Sequence, residues 1–308
     1  MRWIRRLLAL LGLGLLALAM AMGVSQWDIR TLEPDPPDPA AVLALDGASD
    51  RPVRLHWIET ARQVSVAPPP DVISHPSFVL EWTDGRLLLV DLGMSPAGAR
   101  AFSEPFEALG GDPPETFGSV AEHLGSAVDR VAGVVITHLH IDHVEGGVSL
   151  CRARGGAVLP LFQVAAQAER RNFTTRPSDA YLEEAGCLQS NRLDAASPTP
   201  LPGFPGVALI HAAGHTPGSQ MVVASLDGPG GTERWAFPGD VINDAAAAAE
   251  DRPKSLLYRL LIVPEHDRQL SRMRRFLAGL AQAHGATLAP AHDGNHLAGL
   301  GIPPFRSP

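Results

Sequence analysis

Between His138 and His143 the chain reads His-Leu-His-Ile-Asp-His, three imidazoles and a carboxylate within six residues. Alternate residues of an extended segment point the same way, so His138 and His140 can grip one ion together. The turn that follows swings Asp142 and His143 toward a neighbouring position. Imidazole and carboxylate suit zinc and similar first-row ions, and the lack of a nearby thiolate argues against a closed structural zinc site. The bland alternative is a chance group of surface histidines. It is set aside because ligand-type side chains at this density on a strand end are a rare coincidence.

Three more candidates stand at the ends of strand-like runs. Val207–His211 leads to His215, Arg234–Phe237 leads to Asp240, and Ala286–Pro290 leads to His292. Small residues beside each let the backbone turn sharply as the side chain enters a cleft. A lone strand-end histidine is more often structural; together with the first run these supply two further imidazoles and a carboxylate to share.

The elements that must position them are also written in the sequence. Val131–Ile136 is apolar and β-branched and reads as a buried strand delivering His138. Val53–Ile58 alternates like a strand. Ser77–Trp82 and Leu87–Val90, joined through Asp84-Gly85, read as a hairpin. Asp91 follows it, either as a carboxylate that orients a ligand histidine or as a solvated strand-end residue. Helices are expected over Pro96–Leu109, Phe117–Val128 and Asp267–Ala283, the last packing Leu270, Met273, Phe276, Leu277 and Leu280 inward. Gly146-Gly147 reads as a tight turn, and Ser197–Gly206 as a loop overhanging the site. The Ala245–Ala249 run and Lys254–Tyr258 beyond it could line a substrate entrance.

With these residues in place the chain resembles the metallo-β-lactamase-fold hydrolases over roughly residues 50 to 300, the HxHxDH run being specific to that superfamily. The resemblance implies an α/β fold, a four-layer αββα sandwich with the site at one edge of the paired sheets. It also implies that His138, His140 and His215 hold a first divalent ion, that Asp142, His143 and His292 hold a second, and that Asp240 bridges them. Zn2+ is the expected metal. The chemistry implied is acyl-bond hydrolysis by a hydroxide between the two ions, the pKa of metal-bound water falling to about 7. Asp142 is the catalytic candidate, placed to accept or relay a proton.

Departures from subfamily patterns narrow the substrate. True metallo-β-lactamases usually carry Cys or Ser where Asp240 stands. Glyoxalase II-like thioesterases carry an extra C-terminal helical domain, whereas only sixteen residues follow His292 here. The flavodiiron branch replaces His140 by Glu. The segment from His75 to Gly93 is similar to the N-terminal hairpin of quorum-quenching acyl-homoserine lactonases, which favours an ester or lactone over a thioester or lactam. Those lactonases place a Tyr three residues after the bridging Asp, where this chain has Asn243, a hydrogen-bond donor to substrate or a turn cap. Two other classes remain open: an iron-dependent persulfide dioxygenase-like oxidoreductase of the same fold, and a metal-holding extracytoplasmic protein without turnover.

Composition bounds where this chemistry operates. A chain of 308 residues, 45% hydrophobic and 19% charged, can bury a large core. Arg2, Arg5 and Arg6 precede an apolar run from Leu7 to Val24 that passes through Ala19-Met20-Ala21. Residues 1–24 therefore fit a signal peptide or an uncleaved membrane anchor, with membrane contact through residues 7–24 and export of the remainder to a periplasmic or outward-facing position. Residues 25–49 read as a Pro-rich linker and 50–308 as the catalytic domain. The net charge of −8 repels phosphate backbones, so the expected partner is a small-molecule acyl substrate and not nucleic acid. Cys151 and Cys187 read as two ordinary buried thiols in preference to a bridge. His211 reads as a buried structural residue; His56, His75, His123, His266, His284 and His296 have no ligand context.

Overall fold

The structure is a computed structural model that describes residues 2–64, 71–108, 110–169, 176–195, 197–256 and 258–307. Its logic is visible in Leu87-Leu88-Leu89-Val90. Leu87 and Leu89 join one hydrophobic core while Leu88 and Val90 join another, as a strand covered on both faces requires.

Seven strands make the first sheet: β1 (Arg54–Val64), β2 (Val72–Glu81), β3 (Leu87–Val90), β4 (Glu115–Thr116), β5 (Val131–Val135), β6 (Leu159–Val164) and β7 (Leu188–Leu193), in the order β4-β1-β2-β3-β5-β6-β7. The β1-β2-β3 meander is antiparallel; β3, β5, β6 and β7 run parallel. The second sheet holds β8 (Thr199–Pro200), β9 (Val207–His211), β10 (Gln220–Gly228), β11 (Gly231–Phe237) and β12 (Ala286–Leu288), in the order β12-β11-β10-β9-β8. Phe78, Leu80, Val90, Val135 and Phe162 of the first sheet pack against Leu209, Val222 and Phe237 of the second.

The helices are α1 (Arg2–Arg30), α2 (Pro39–Val42), α3 (Pro96–Glu107), α4 (Val120–Leu124), α5 (Ile141–Val144), α6 (Gly146–Ala153), α7 (Ala165–Glu169), α8 (Arg176–Glu184), α9 (Ala246–Glu250), α10 (Asp267–His284) and α11 (Gly294–Gly299). Residues of α4, α6 and α8 cover the outer face of the first sheet. The second sheet's outer face, with Ala208, Ile210, Met221 and Val223, packs under Met273, Phe276, Leu277 and Leu280 of α10. The result is the αββα sandwich, and the inward face expected for α10 is the buried one.

Several local expectations are corrected. The helix expected over Phe117–Val128 is only α4 plus a 3-10 turn over Gly125–Arg130, because Gly125 takes φ +50 and breaks it. Gly146-Gly147 opens α6 and is no turn. A Cβ on Gly146 would lie 2.0 Å from the Leu92 carbonyl, so glycine there lets the helix lie against the end of β3. The Ser197–Gly206 segment does not overhang the site: Leu201 and Phe204 fill the core between the sheets. The expected end of α3 at Leu109 lies outside the described residues.

Two corrections bear on the chain's surroundings. The Pro-rich stretch is seated on the body. Ile29 is fully buried, Val42 and Leu45 join the α10 core, and Asp46 binds Arg234 and Ser225. Cys151 of α6 and Cys187 ahead of β7 form a disulfide, with Cα atoms 5.5 Å apart. They are not separate thiols; the β6-β7 crossover returns the chain beside α6, a proximity that their spacing in sequence does not reveal.

Candidate metal centre

The parallel strands β3 and β5 end side by side, and the site is built on their C-terminal ends. Asp91 leaves β3 with φ +59, an uncommon conformation for a residue with a Cβ. From there it accepts hydrogen bonds from the Thr137 backbone N–H (2.7 Å) and hydroxyl (2.9 Å). That clamps the exit of β5, so that His138 emerges in the bend that follows it, His140 in extended backbone, and Asp142 and His143 in the single turn of α5. His215 enters from the β9-β10 loop, Asp240 from the 3-10 turn after β11 and His292 from the loop after β12. Gly239 takes φ +53 beneath Asp240; a Cβ there would meet the Thr137 hydroxyl at 2.5 Å.

All seven expected side chains meet in one buried cluster. His138, His140 and His215 bring ligand atoms within 4.8 Å of one another, as do His138, His143 and Asp240. Asp240 has its two oxygens turned different ways. Oδ2 lies 3.4 Å from His215 Nε2 and 4.0 Å from His138 Nε2; Oδ1 lies 2.9 Å from His292 Nε2 and 3.5 Å from His143 Nε2. Asp142 Oδ2 is 3.6 Å from His143 Nε2 and 3.4 Å from His292 Nε2. Although buried, His138 Nε2 and His143 Nε2 have no hydrogen-bond partner among the described residues. Buried polar atoms are nearly always satisfied. Unpaired imidazole nitrogens within reach of carboxylate oxygens are what a site for divalent cations needs, so the donor set fits two such ions.

Behind these atoms lies a layer that holds their orientation. His143 Nδ1 donates to Asp91 (3.0 Å), His215 Nδ1 to Glu265 (2.6 Å) and His292 Nδ1 to the Ser74 carbonyl (2.9 Å). Each bond fixes the tautomer that leaves Nε2 free for an ion. Of the two readings of Asp91, the orienting one holds. Lys254 Nζ donates to Glu265 (2.7 Å) and to the Asp240 carbonyl (2.7 Å), so one ammonium anchors the partners of both His215 and Asp240.

Charge in the cluster follows from these neighbours. Burial lowers the His138, His140 and His215 imidazoles; adjacent imidazoles add to it for His138 and His140, the latter falling to about 3, and Lys254 adds to it for His215. Burial opposes charge on His143 too, but Asp91 and Asp142 outweigh it and hold that imidazole well above its ordinary value. His292 is raised in the same way, chiefly by Asp240. Burial would raise the Asp142 and Asp240 carboxyls, yet the surrounding imidazoles pull both below the ordinary range.

Sequence reasoning missed three residues here. His75, which lacked a ligand context in the sequence, is buried with Nδ1 3.2 Å from Asp142 Oδ2 and groups with Asp142 and His292. The visible signal was a histidine within β2, ahead of its apolar run Phe78–Leu80. Glu265 and Lys254 gave none beyond Lys254's place after Asp240. Of the segment that could line an entrance, Tyr258 stands half-buried with Lys254 Nζ 5.2 Å from its ring centre. Burial, with the Asp240, Glu265 and Asp142 carboxylates, pushes its phenol well above the ordinary value. Leu257 lies outside the described residues. Asn243 does not cap α9: the Ala247 N–H donates to Asp244 Oδ1 (2.9 Å), and the buried Asn243 Oδ1 has no partner among the described residues. Ala247 and Ala248 face the α10 core and line no entrance.

Comparison with known proteins agrees with this architecture. A quorum-quenching N-acyl homoserine lactone lactonase superposes with a TM-score of 0.56 at 16% identity, covering 80% of this chain and 94% of that one. An N-acyl homoserine lactone hydrolase with N-hexanoyl-L-homoserine bound at its catalytic metal centre superposes at 0.55 with 17% identity, covering 81% and 96%. A probable metal-dependent hydrolase from Staphylococcus aureus gives 0.50 at 13% identity, covering 80% and 91%. No curated protein matches the sequence. Residues 70–248, from the β2 hairpin through Asp240 to α9, match the metallo-beta-lactamase superfamily, and the chain belongs to that superfamily.

Proposed function

We propose that this chain is an exported hydrolase that uses two divalent ions, Zn2+ by donor chemistry, to cleave an acyl bond in an ester or lactone. The observation that carries the reading is Asp240, whose Oδ2 faces His215 and His138 while Oδ1 faces His143 and His292. In this reading His138, His140 and His215 hold one ion, Asp142, His143 and His292 the other, and Asp240 serves both. When bound, such a pair supplies Lewis acidity toward a carbonyl and lowers the pKa of water to about 7.

The chain's own groups do the rest. Asp142, kept ionised by its imidazole neighbours and aligned by His75, is the acceptor that takes a proton and returns it to the leaving oxygen. Tyr258, its ring beside Lys254 Nζ and its phenol kept protonated, is the candidate O–H donor to a bound substrate. Burial of His215 and His138 excludes bulk water from the first ligand set. The lactone preference rests on fold likeness to acyl-homoserine lactonases, whose post-Asp240 tyrosine is absent here; Tyr258 brings a phenol from a later segment. Export is supported by the apolar helix Trp3–Ala21 and by the Cys151–Cys187 bridge, which suits an oxidising compartment.

The test is metal analysis of the purified protein, followed by an ester, lactone, thioester and nitrocefin panel with and without exhaustive chelation. Two ions per chain and chelator-sensitive lactone or ester turnover are expected. A single redox-active iron, or turnover indifferent to chelation, overturns the proposal.

A further inference from the structure

Helix α1 does not stop where its apolar run stops. Trp3–Ala21 is long and apolar enough to cross a bilayer and is unburied throughout, yet the helix continues to Arg30 and Ile29 is fully buried. At 1.5 Å per residue, the stretch from Ala21 to Ile29 spans only about 12 Å. The chain beyond is tied down: Glu33 lies 3.5 Å from both His266 and Arg272, and the Pro34 carbonyl accepts from the Gln269 side chain. No slack tether therefore separates α1 from the body. The part held nearest to it is the start of α10, directly after Glu265.

The same region has the surface of a membrane-contacting edge. Outside α1, the large apolar side chains that stand exposed among the described residues are Val64, Val158, Leu256 and Ile262. Leu256 and Ile262, 61% and 56% exposed, bracket the turn that carries Tyr258, whose ring lies beside Lys254. Arg259 joins this turn to α10 through Asp267 (3.4 Å), beside the His266 that meets Glu33. Of the seven Lys and Arg in residues 250–275, Lys254, Arg259 and Arg274 are taken up by Glu265, Asp267 and Asp251, while Arg268 and Arg275 of α10 stand exposed. An exposed apolar pair, an apolar helix and exposed arginines on α10 together suit anionic headgroups over acyl chains.

We propose that the edge formed by residues 254–256 and 258–272 rests on the bilayer that α1 enters, so that an acyl substrate with a long apolar tail reaches the ligand cluster from the lipid side. The substrate clause rests on the hydrolase reading above; the docking clause does not. Tyr258 and Lys254, on the inner side of this edge, are then the first polar groups that a substrate leaving the leaflet meets.

The test uses the full-length protein in nanodiscs of phosphatidylcholine and phosphatidylglycerol. Leu256→Cys, Ile262→Cys and, as a distant control, Val158→Cys are spin-labelled one at a time, the natural cysteines being bridged. Collisional relaxation by oxygen should exceed that by chromium oxalate at 256 and 262, and the reverse should hold at 158. Equal aqueous exposure at all three positions overturns the proposal, as does finding that the chain in its native membrane begins after Ala21. These readouts need no turnover, so they separate this idea from the hydrolase reading. In a second arm, Leu256→Asp with Ile262→Asp should lower kcat/KM for a long-chain acyl lactone in the nanodisc on the order of tenfold, the loss of about one buried apolar side chain. A short-chain, water-soluble lactone should be turned over as before, and an equal loss on both substrates refutes entry from lipid.

Discussion

The Glu265 side chain has no solvent exposure, and among the described residues its charge is balanced by His215 Nδ1 at 2.6 Å and Lys254 Nζ at 2.7 Å. Lys254→Met therefore leaves a buried carboxylate whose remaining partner is a neutral imidazole N–H. Breaking one side of a buried pair costs about 3–5 kcal/mol. Because the Lys254 side chain is 12% exposed, water can reach the gap, and the lower end, about 3 kcal/mol, is expected. Glu265→Gln keeps an oxygen for His215 and Lys254 and loses only charge assistance, a cost of about 1–2 kcal/mol. The double variant has no unpaired buried charge, so it should be more stable than Lys254→Met alone, by about 1 kcal/mol or more. Urea unfolding of the chelated proteins at neutral pH measures all four corners of the cycle. Competition with a chromophoric chelator should show Glu265→Gln losing one ion's affinity by roughly 10–100-fold while the other ion stays. Additive single and double losses, or unchanged affinity in Glu265→Gln, would refute the reasoning.

Asp240→Asn, which keeps shape but removes the shared charge, should weaken both ions together; loss of a single ion in titration would show that Asp240 does not serve both. Asp46 tests the seat of the Pro-rich strap. Burial would raise its carboxyl, but Arg234 and Ser225 hold it below its ordinary value, so its stabilisation is complete above an unfolded pKa of about 4 and is lost as pH falls through the lower folded value. The stability gap between the parent and Asp46→Asn should thus be constant near neutrality and close below about pH 4; a gap that persists at about pH 2.5 contradicts the linkage. Replacing Cys151 and Cys187 by serine should cost about 2–4 kcal/mol in chemical unfolding, and no change on reduction of the parent would mean that the bridge does not form in solution.

The seven clustered side chains could be read from sequence because metal chemistry restricts the residue types and strand-end geometry restricts their surroundings: a His or Asp beside small residues after an apolar run. The layer behind them could not. A hydrogen-bond partner may be any polar group from any segment, and His75 meets Asp142 across 67 positions, Glu265 meets His215 across 50. Asp91 was readable as one of two alternatives because it follows a strand that had to be buried. The Pro-rich stretch misled for a related reason. Its composition suggests a free tether, while its anchoring depends on Val42, Leu45 and Asp46, which become informative only once the outer face of the second sheet exists.

That hidden layer divides the charge of the site unequally. The imidazoles of the first ligand set, His138, His140 and His215, are all held toward the neutral form, and the one carboxylate behind them, Glu265, is paired with Lys254. The second set includes Asp142, with Asp91 behind His143, and among the described residues neither carboxylate forms an ion pair with a lysine or arginine; there His143 and His292 are driven toward the protonated form. A cation entering the first set meets ligands already deprotonated. One entering the second must displace protons that the protein's own anions hold there. Lys254 thus does more than fill space behind Glu265: pairing with Glu265 and lying 3.9 Å from Asp240 Oδ2, it offsets the anions on the side of the first set and leaves Asp142 and Asp91 to hold protons at the second, so occupancy there should fall first as pH drops.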